Sequence, residues 1–262
     1  MVAAGLWLLW TVLSVMAARL AYPFDLEWME GGMLTHAWRL REGLALYPDP
    51  GPDFIPFIYP PAYSALLALL GSAVPLEPLL GRAVSMCFSL LAALSLVYGV
   101  GRHTDRWAVG FAGAAAFLGC YEASGAFYDT VRPDSMMAAL LGWSVVLACE
   151  KSRGAIVASG LLLCMAFLSK HNAAAFGPAL AFGILSSRGL RPSLLFVAAS
   201  AGPALVATGL LQWMTHGNFL EYLIGVPGQH PIVGLRAFPG MPRDMVHWLP
   251  VMVMLAYVGL MA

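Results

Sequence analysis

The sequence predicts an all-α protein, a polytopic transmembrane helix bundle of about eight spans with interfacial or re-entrant helices in its first external loop. Three observations predict it. Of the 262 residues, 60% are hydrophobic. Only 11% are charged, against roughly 25% in an ordinary soluble domain. The apolar residues fall in blocks long enough to cross a bilayer as helices. Mean hydropathy is +0.76. The same composition excludes a disordered chain. With 14 Lys+Arg against 14 Asp+Glu, no basic excess is left to bind nucleic acid. The four cysteines, Cys87, Cys120, Cys149 and Cys164, lie in apolar runs without C-x-x-C spacing and read as small hydrophobes.

The whole chain, 1–262, reads as one transmembrane domain. Its first span is 2–22, with Arg19 near the end. No Lys or Arg precedes this apolar run, so it reads as a retained span rather than a cleaved signal peptide. The first external loop, 23–60, follows. Within it, residues 29–44 are expected to form a helix in the interface plane, with Met33, Ala37, Leu40 and Leu44 on one stripe. The run Tyr47-Pro48-Asp49-Pro50-Gly51-Pro52 is a turn-rich linker. Segment 61–75 is bracketed by Pro60-Pro61 and Pro75. That leaves about 14 residues, too few for a comfortable span, so a re-entrant or interfacial helix is expected. Spans follow at 83–101, 108–127, 135–149, 155–169, 173–186 and 193–213. The last external loop, 214–247, leads to a short final apolar run, 248–262.

Charge fixes the orientation. With a cytoplasmic N-terminus, the loops 102–107, 150–154 and 186–192 are cytoplasmic. They hold Arg102, Arg106, Lys151, Arg153, Arg188 and Arg191 against Asp105 and Glu150, a net +4, and leave −4 on the other side. This is the asymmetry that positive-inside topology requires. Letting 61–75 cross would invert every later loop. The Ala/Gly/Arg-rich composition fits a bacterial inner membrane.

The external face then collects the chemistry. Asp25, Glu27 and Glu30 follow the first span, beside Trp28 and Met29. Asp129, Arg132 and Asp134 occupy a tight turn near membrane depth, where charges are costly unless paired or functional. Lys170-His171-Asn172 marks another turn, and His216, Glu221, Gln229, His230 and His247 lie in the last loop. Plainer readings stand beside these. Arg19, Arg82 and Lys170 can snorkel at helix ends. Asp129, Arg132 and Asp134 can form an ion pair plus a helix cap. Glu42, Asp49, Asp53, Glu77 and Asp244 read as solvated charge. The Gly110/Gly113 pair reads as helix packing. The scattered histidines give no metal-ligand spacing, so no cofactor is expected and a divalent metal has no support from the sequence. No phosphate-loop or dinucleotide fingerprint occurs.

Carboxylates beside Arg and Lys at a membrane face suit glycosyl transfer from a polyprenyl-phosphate sugar. A carboxylate serves as base on an acceptor hydroxyl, and cations hold the departing phosphate. A secondary transporter or flippase of a lipid-linked substrate could carry the same charges, though no internal repeat is visible. The pattern Asp25, Trp28-Met29-Glu30-Gly31-Gly32, Gly43-x-x-x-Tyr47 and Tyr59-Pro60-Pro61-x-Tyr63 resembles the first external loop of GT-C-type membrane glycosyltransferases, including the protein O-mannosyltransferase and aminoarabinose transferase groups. Tyr128-Asp129-x-x-Arg132-x-Asp134 resembles their second acidic loop, and Phe167-Leu168-Ser169-Lys170-His171-Asn172 their Lys-bearing turn. Gly217-Asn218-Phe219 and Gln229-His230-Pro231 are similar to a further external loop of bacterial members.

The resemblance implies an inverting transfer to a glycan, lipid or protein acceptor. It implies catalytic roles for Glu30, Asp25 and Asp129, with Glu30 favoured as base for its place in the Trp28–Gly31 string. It implies substrate binding by Asp134, Arg132, Lys170, His171, Tyr59 and His230. Such enzymes usually have more spans and a longer chain. An inactive, truncated relative is therefore a further reading.

Overall fold

The computed structural model describes residues 2–52, 54–231 and 233–248. Helix makes up 74% of the described residues, and no strand occurs among them. Contacts divide the chain into two units, Met1–Ile224 and Gly225–Ala262.

The first unit holds nine main helices: α1 (Val2–Leu20), α2 (Met29–Arg41), α3 (Ala62–Leu70), α4 (Pro78–Thr104), α5 (Trp107–Gly119), α6 (Asp134–Cys149), α7 (Arg153–Ser169), α8 (Phe176–Arg188) and α9 (Leu190–Met214). Their ends follow local chemistry. Glu77 is extended, and Pro78 starts α4 where its missing N–H costs nothing. Asp105, in left-handed conformation, ends that helix. The Ser152 hydroxyl accepts the Ala155 N–H to cap α7. Gly189, at φ +87°, breaks α8 from α9. Helix α2 stops at Arg41, short of the expected end at 44, and Gly43 (φ +69°) turns the chain away. Met33 and Ala37 of the expected stripe are buried; Leu44 lies past the helix end and is exposed. α3 has nine residues, a rise of about 14 Å, well short of the ~30 Å layer. α5 ends eight residues before the expected boundary at 127, because 120–127 form turns.

Among the described residues two helices, α4 and α9, are long and apolar enough to cross a membrane; α1, α5, α6 and α7 contain shorter apolar helices. Neither α4 nor α9 is mostly buried within the chain. Only 28% and 11% of their most apolar stretches are buried. Leu194, Leu205, Val206, Leu210 and Trp213 of α9 all face outward.

α4 packs on α5 and α6, α6 on α7, α7 on α9, and α1 on α5. Polar side chains stitch these faces. Ser144 donates to the Ser159 carbonyl at 2.8 Å and Ser159 to the Ser144 carbonyl at 2.7 Å, joining α6 to α7. Ser193 joins α9 to α8 through the Ala181 carbonyl. Small residues permit close approach, as at Gly160, where a Cβ would lie 2.8 Å from the Phe196 carbonyl oxygen of α9. Gly110 likewise presses on the Val97 backbone of α4, while Gly113 meets nothing within 4 Å.

At one end of the bundle Arg102 pairs with Glu150 at 3.8 Å, and Arg188 donates to the Glu150 carbonyl. The other end gathers the end of α1, the start of α4, the end of α5, the start of α6 and the end of α7.

The second unit contains short helical turns and the helix Met241–Trp248. His230 belongs to it, in an exposed turn after Gln229. The expected final span lies, beyond Trp248, outside the described residues, as does Asp53.

Candidate functional site

Three charge clusters meet at the α1/α4/α6/α7 end. The deepest joins Glu30 and Arg82, both fully buried. Arg82 Nε donates to Glu30 Oε1 at 3.0 Å and Nη2 to Oε2 at 2.7 Å. The guanidinium also donates to the carbonyls of Tyr22 at 2.5 Å and Phe24 at 2.7 Å. Glu30 accepts the N–H groups of Leu26 and Val131. Burial pushes the Glu30 carboxyl up, but the bonds from Arg82, Leu26 and Val131 outweigh it and hold it below the ordinary range. Glu30 therefore has both oxygens engaged and no exposed surface. This placement makes it an anchor, with no lone pair offered to an acceptor hydroxyl. Arg82 does not snorkel. It is the hub that ties the exit of α1 to α4.

The second cluster is Asp129, Tyr121 and Arg19. Asp129 is 1% exposed. Its Oδ1 accepts from the Tyr121 hydroxyl at 2.8 Å and lies 3.4 Å from Arg19 Nη1. Its Oδ2 has no partner. Burial pushes its carboxyl above the ordinary value, and Tyr121 and Arg19 only partly restore it. Arg19 is thus a partner of Asp129 rather than a free helix-end cation.

The third cluster is the most accessible. Glu27 Oε1 lies 3.0 Å from Arg132 Nη1; Arg132 Nε lies 3.2 Å from Asp134 Oδ2; Lys170 Nζ lies 2.5 Å from Asp134 Oδ1. This chain of alternating charge has aromatic walls. The Arg132 guanidinium stands 4.0 Å from the Phe127 ring centroid, and Lys170 Nζ 5.5 Å from that of Tyr59. Burial pulls the Arg132 pKa down, but Asp134 and Glu27 more than compensate, so it stays charged. Glu27 also accepts the Met29 N–H at 2.9 Å, which fixes the start of α2. Asp134 stands in the first turn of α6, where the helix dipole favours a carboxylate. Lys170 uses one of its three donors on Asp134, and the α7 end is held by Ser169 donating to the Pro133 carbonyl.

Asp25 lies beside these clusters, exposed, with Oδ2 about where a Cβ on Gly31 would press at 3.0 Å. It makes no hydrogen bond or ion pair among the described residues. His171 starts a 3₁₀ turn; its buried Nδ1 is unpartnered, and burial, with Lys170 adjacent, lowers its pKa. His230 belongs to the second unit. The structure thus brings Glu27, Glu30, Asp129, Arg132, Asp134, Lys170 and Tyr59 to one end of the first unit. Among the described residues, no three His, Cys, Asp or Glu side chains gather to hold a metal ion.

His36 braces this floor. It is buried, and its Nε2 accepts the Phe57 N–H at 3.0 Å between the rings of Phe54 and Phe57. Burial, aided by Arg39, lowers its pKa from 6.5 to about 4. The unfolded chain takes up a proton below pH 6.5 and the folded chain only below about 4. Stability therefore falls as pH drops through this window, by up to about 3 kcal/mol. Melting temperatures at pH 7 and pH 4.5 should differ markedly in the wild type. They should differ far less in His36→Gln, which keeps an acceptor but does not titrate. Equal pH slopes in the two proteins would refute this role.

Sequence reasoning missed Arg82, Phe127, Tyr121 and His36 as partners. Arg82 carried the clearest signal, a lone cation inside the apolar run Leu79–Val84 with unpaired acids upstream.

Compared with known proteins, the chain matches no family model, no curated protein and no solved structure.

Proposed function

We propose that this chain is an integral membrane glycosyltransferase of about eight spans. In this reading it moves a sugar from polyprenyl phosphate to a hydroxyl-bearing glycan, lipid or protein on the external face of a bacterial inner membrane. The observation that carries the reading is the Arg132–Asp134–Lys170 chain at the end of a bundle whose helices turn apolar flanks outward. Such flanks need lipid rather than water. The paired cations suit a phosphodiester headgroup. A groove of about 390 Å³ between α7, α8 and α9 is lined by Leu163, Phe167, Pro178 and Phe196. Phe167 in its lining precedes Lys170 by about one helical turn, and the apolar lining suits a prenyl tail.

The chemistry follows from the free groups. Among Asp25, Glu27, Glu30, Asp129 and Asp134, Asp25 alone is exposed with both oxygens unengaged, so it takes the base role in place of Glu30. It accepts the proton of the acceptor hydroxyl as that oxygen bonds to the anomeric carbon. The bond from that carbon to the phosphate oxygen breaks from the opposite face, inverting the centre. The electron pair leaves on phosphate, and Arg132 and Lys170 hold the added charge. Asp134 orients both cations, and the neutral His171 lies beside Lys170. Tyr59 lines the lysine.

The test is transfer of radiolabel from polyprenyl-phosphate sugars to a membrane extract by the purified chain in nanodiscs. Wild type should transfer label. Lys170→Met should cut kcat/KM by about 10²-fold, the scale of losing one charge-stabilising donor. Lipid-sugar crossing sealed vesicles without label transfer would instead establish the flippase reading.

A further inference from the structure

The end of the bundle opposite the acid clusters carries a basic face that sugar transfer does not use. Its three turns hold Arg102, Arg106, Lys151, Arg153, Arg188 and Arg191 against Asp105 and Glu150. Arg188, which ends α8, donates to the Glu150 carbonyl between α6 and α7. Arg102, near the end of α4, lies 3.8 Å from the Glu150 carboxylate, and His103 lies 3.9 Å from the same oxygen. Glu150 is therefore already engaged. Lys151, Arg153 and Arg191 flank this junction, exposed, and make no hydrogen bond or ion pair among the described residues. α7 and α9 run parallel and press together where a Cβ on Gly160 would lie 2.8 Å from the Phe196 carbonyl oxygen. Both residues lie about two turns into their helices, so Arg153 and Arg191 stand level on neighbouring helices. Like charges this close repel, and cations in a first turn also oppose the helix dipole. An anion among them removes both penalties.

The apolar surface on the same helices says which anion. α9 exposes Leu190 and Leu194 on either side of Arg191, and α8 exposes Phe182 and Leu185 in the two turns before Arg188. Cations at helix ends above bare apolar flanks match a phospholipid, phosphate above and acyl chains below. A soluble anion has no use for the flanks. A zwitterionic headgroup would bring its own ammonium to this basic face. We infer that Lys151, Arg153 and Arg191 hold the phosphate of an anionic phospholipid, whose acyl chains lie along the exposed flanks of α8 and α9. The inference rests on the membrane reading of the chain and not on glycosyl transfer.

The experiment titrates the purified full chain in neutral detergent with phosphatidylglycerol or phosphatidylcholine of the same acyl chains. Native mass spectrometry reads the bound lipid. Wild type should bind phosphatidylglycerol at least about tenfold tighter, since each cation near a membrane surface contributes about fivefold. Lys151→Gln/Arg153→Gln/Arg191→Gln should lose most of that preference. These side chains are exposed and unbonded, so the melting temperature in phosphatidylcholine nanodiscs should not change. Where the triple variant does not fold, Arg191→Gln alone should cut the preference about fivefold. Lys170→Met, at the opposite end, should keep it. No preference in wild type, or full preference in the variant that folds, overturns the site. So does loss of the preference in Lys170→Met, or displacement of the lipid by excess glycerol phosphate. Flotation with phosphatidylcholine liposomes separates the two readings. A chain that does not float refutes the membrane reading and this site with it. A chain that floats without a preference refutes the site alone.

Discussion

Replacing Arg82 with methionine is expected to be among the most destabilising single changes at this end of the bundle. The substitution keeps the length and apolar stem of the side chain but strands Glu30 without its cation. Breaking a buried pair from one side costs about 3–5 kcal/mol. The same change frees the carbonyls of Tyr22 and Phe24, which Arg82 now satisfies. At ~2–4 °C per kcal/mol for a domain of this size, the melting temperature should fall on the order of 10 °C. Glu30→Leu should be similarly damaging. The double variant Arg82→Met/Glu30→Leu should recover part of the loss, because it removes both charges together. A double variant as unstable as the sum of the singles would show that the two residues do not act as a pair.

Asp25→Asn should have the largest effect on transfer with the least on folding. Asp25 is exposed and makes no bond that the fold depends on. Loss of a positioned base lowers kcat by about 10²–10⁴-fold, with KM for the lipid donor little changed. Glu30→Gln should behave in the opposite sense. Its melting temperature drops first, and any activity lost tracks the fraction unfolded. Thermal melts and initial rates on the same preparations separate the two. Wild-type turnover in Asp25→Asn would remove it from the base role.

Much of this arrangement was legible in the sequence. Block lengths located α1, α4, α6, α7 and α9 to within a few residues, and the prolines around 61–75 foretold the short α3. Charge bookkeeping placed the acids of 25–30, the 129–134 turn and Lys170 on one side, and the structure brings members of all three groups together. What stayed hidden was pairing. Asp25, Glu27 and Glu30 lie within six residues and look interchangeable in a string of letters. Helix α2 begins between them, so Glu30 turns inward to Arg82, Glu27 reaches Arg132, and Asp25 faces out. The partners of Glu30 and Glu27, Arg82 and Arg132, lie 52 and 105 residues away, beyond any local pattern. Asp129 and Asp134 diverge for a similar reason. The turn Thr130–Pro133 separates them, so one is buried against Tyr121 and the other opens α6.

The bond from the Val131 N–H to Glu30 has a consequence for how the protein is made. Residues 22–31 leave the ribosome early, yet their anchors are Arg82 and the backbone at 131. Until residue 131 has been synthesised, the first loop lacks one of the groups that hold its shape. It is made early and finished late. During that interval Glu27 lacks Arg132, and a stall or cleavage before residue 131 leaves Glu30 with Arg82 but without the Val131 N–H.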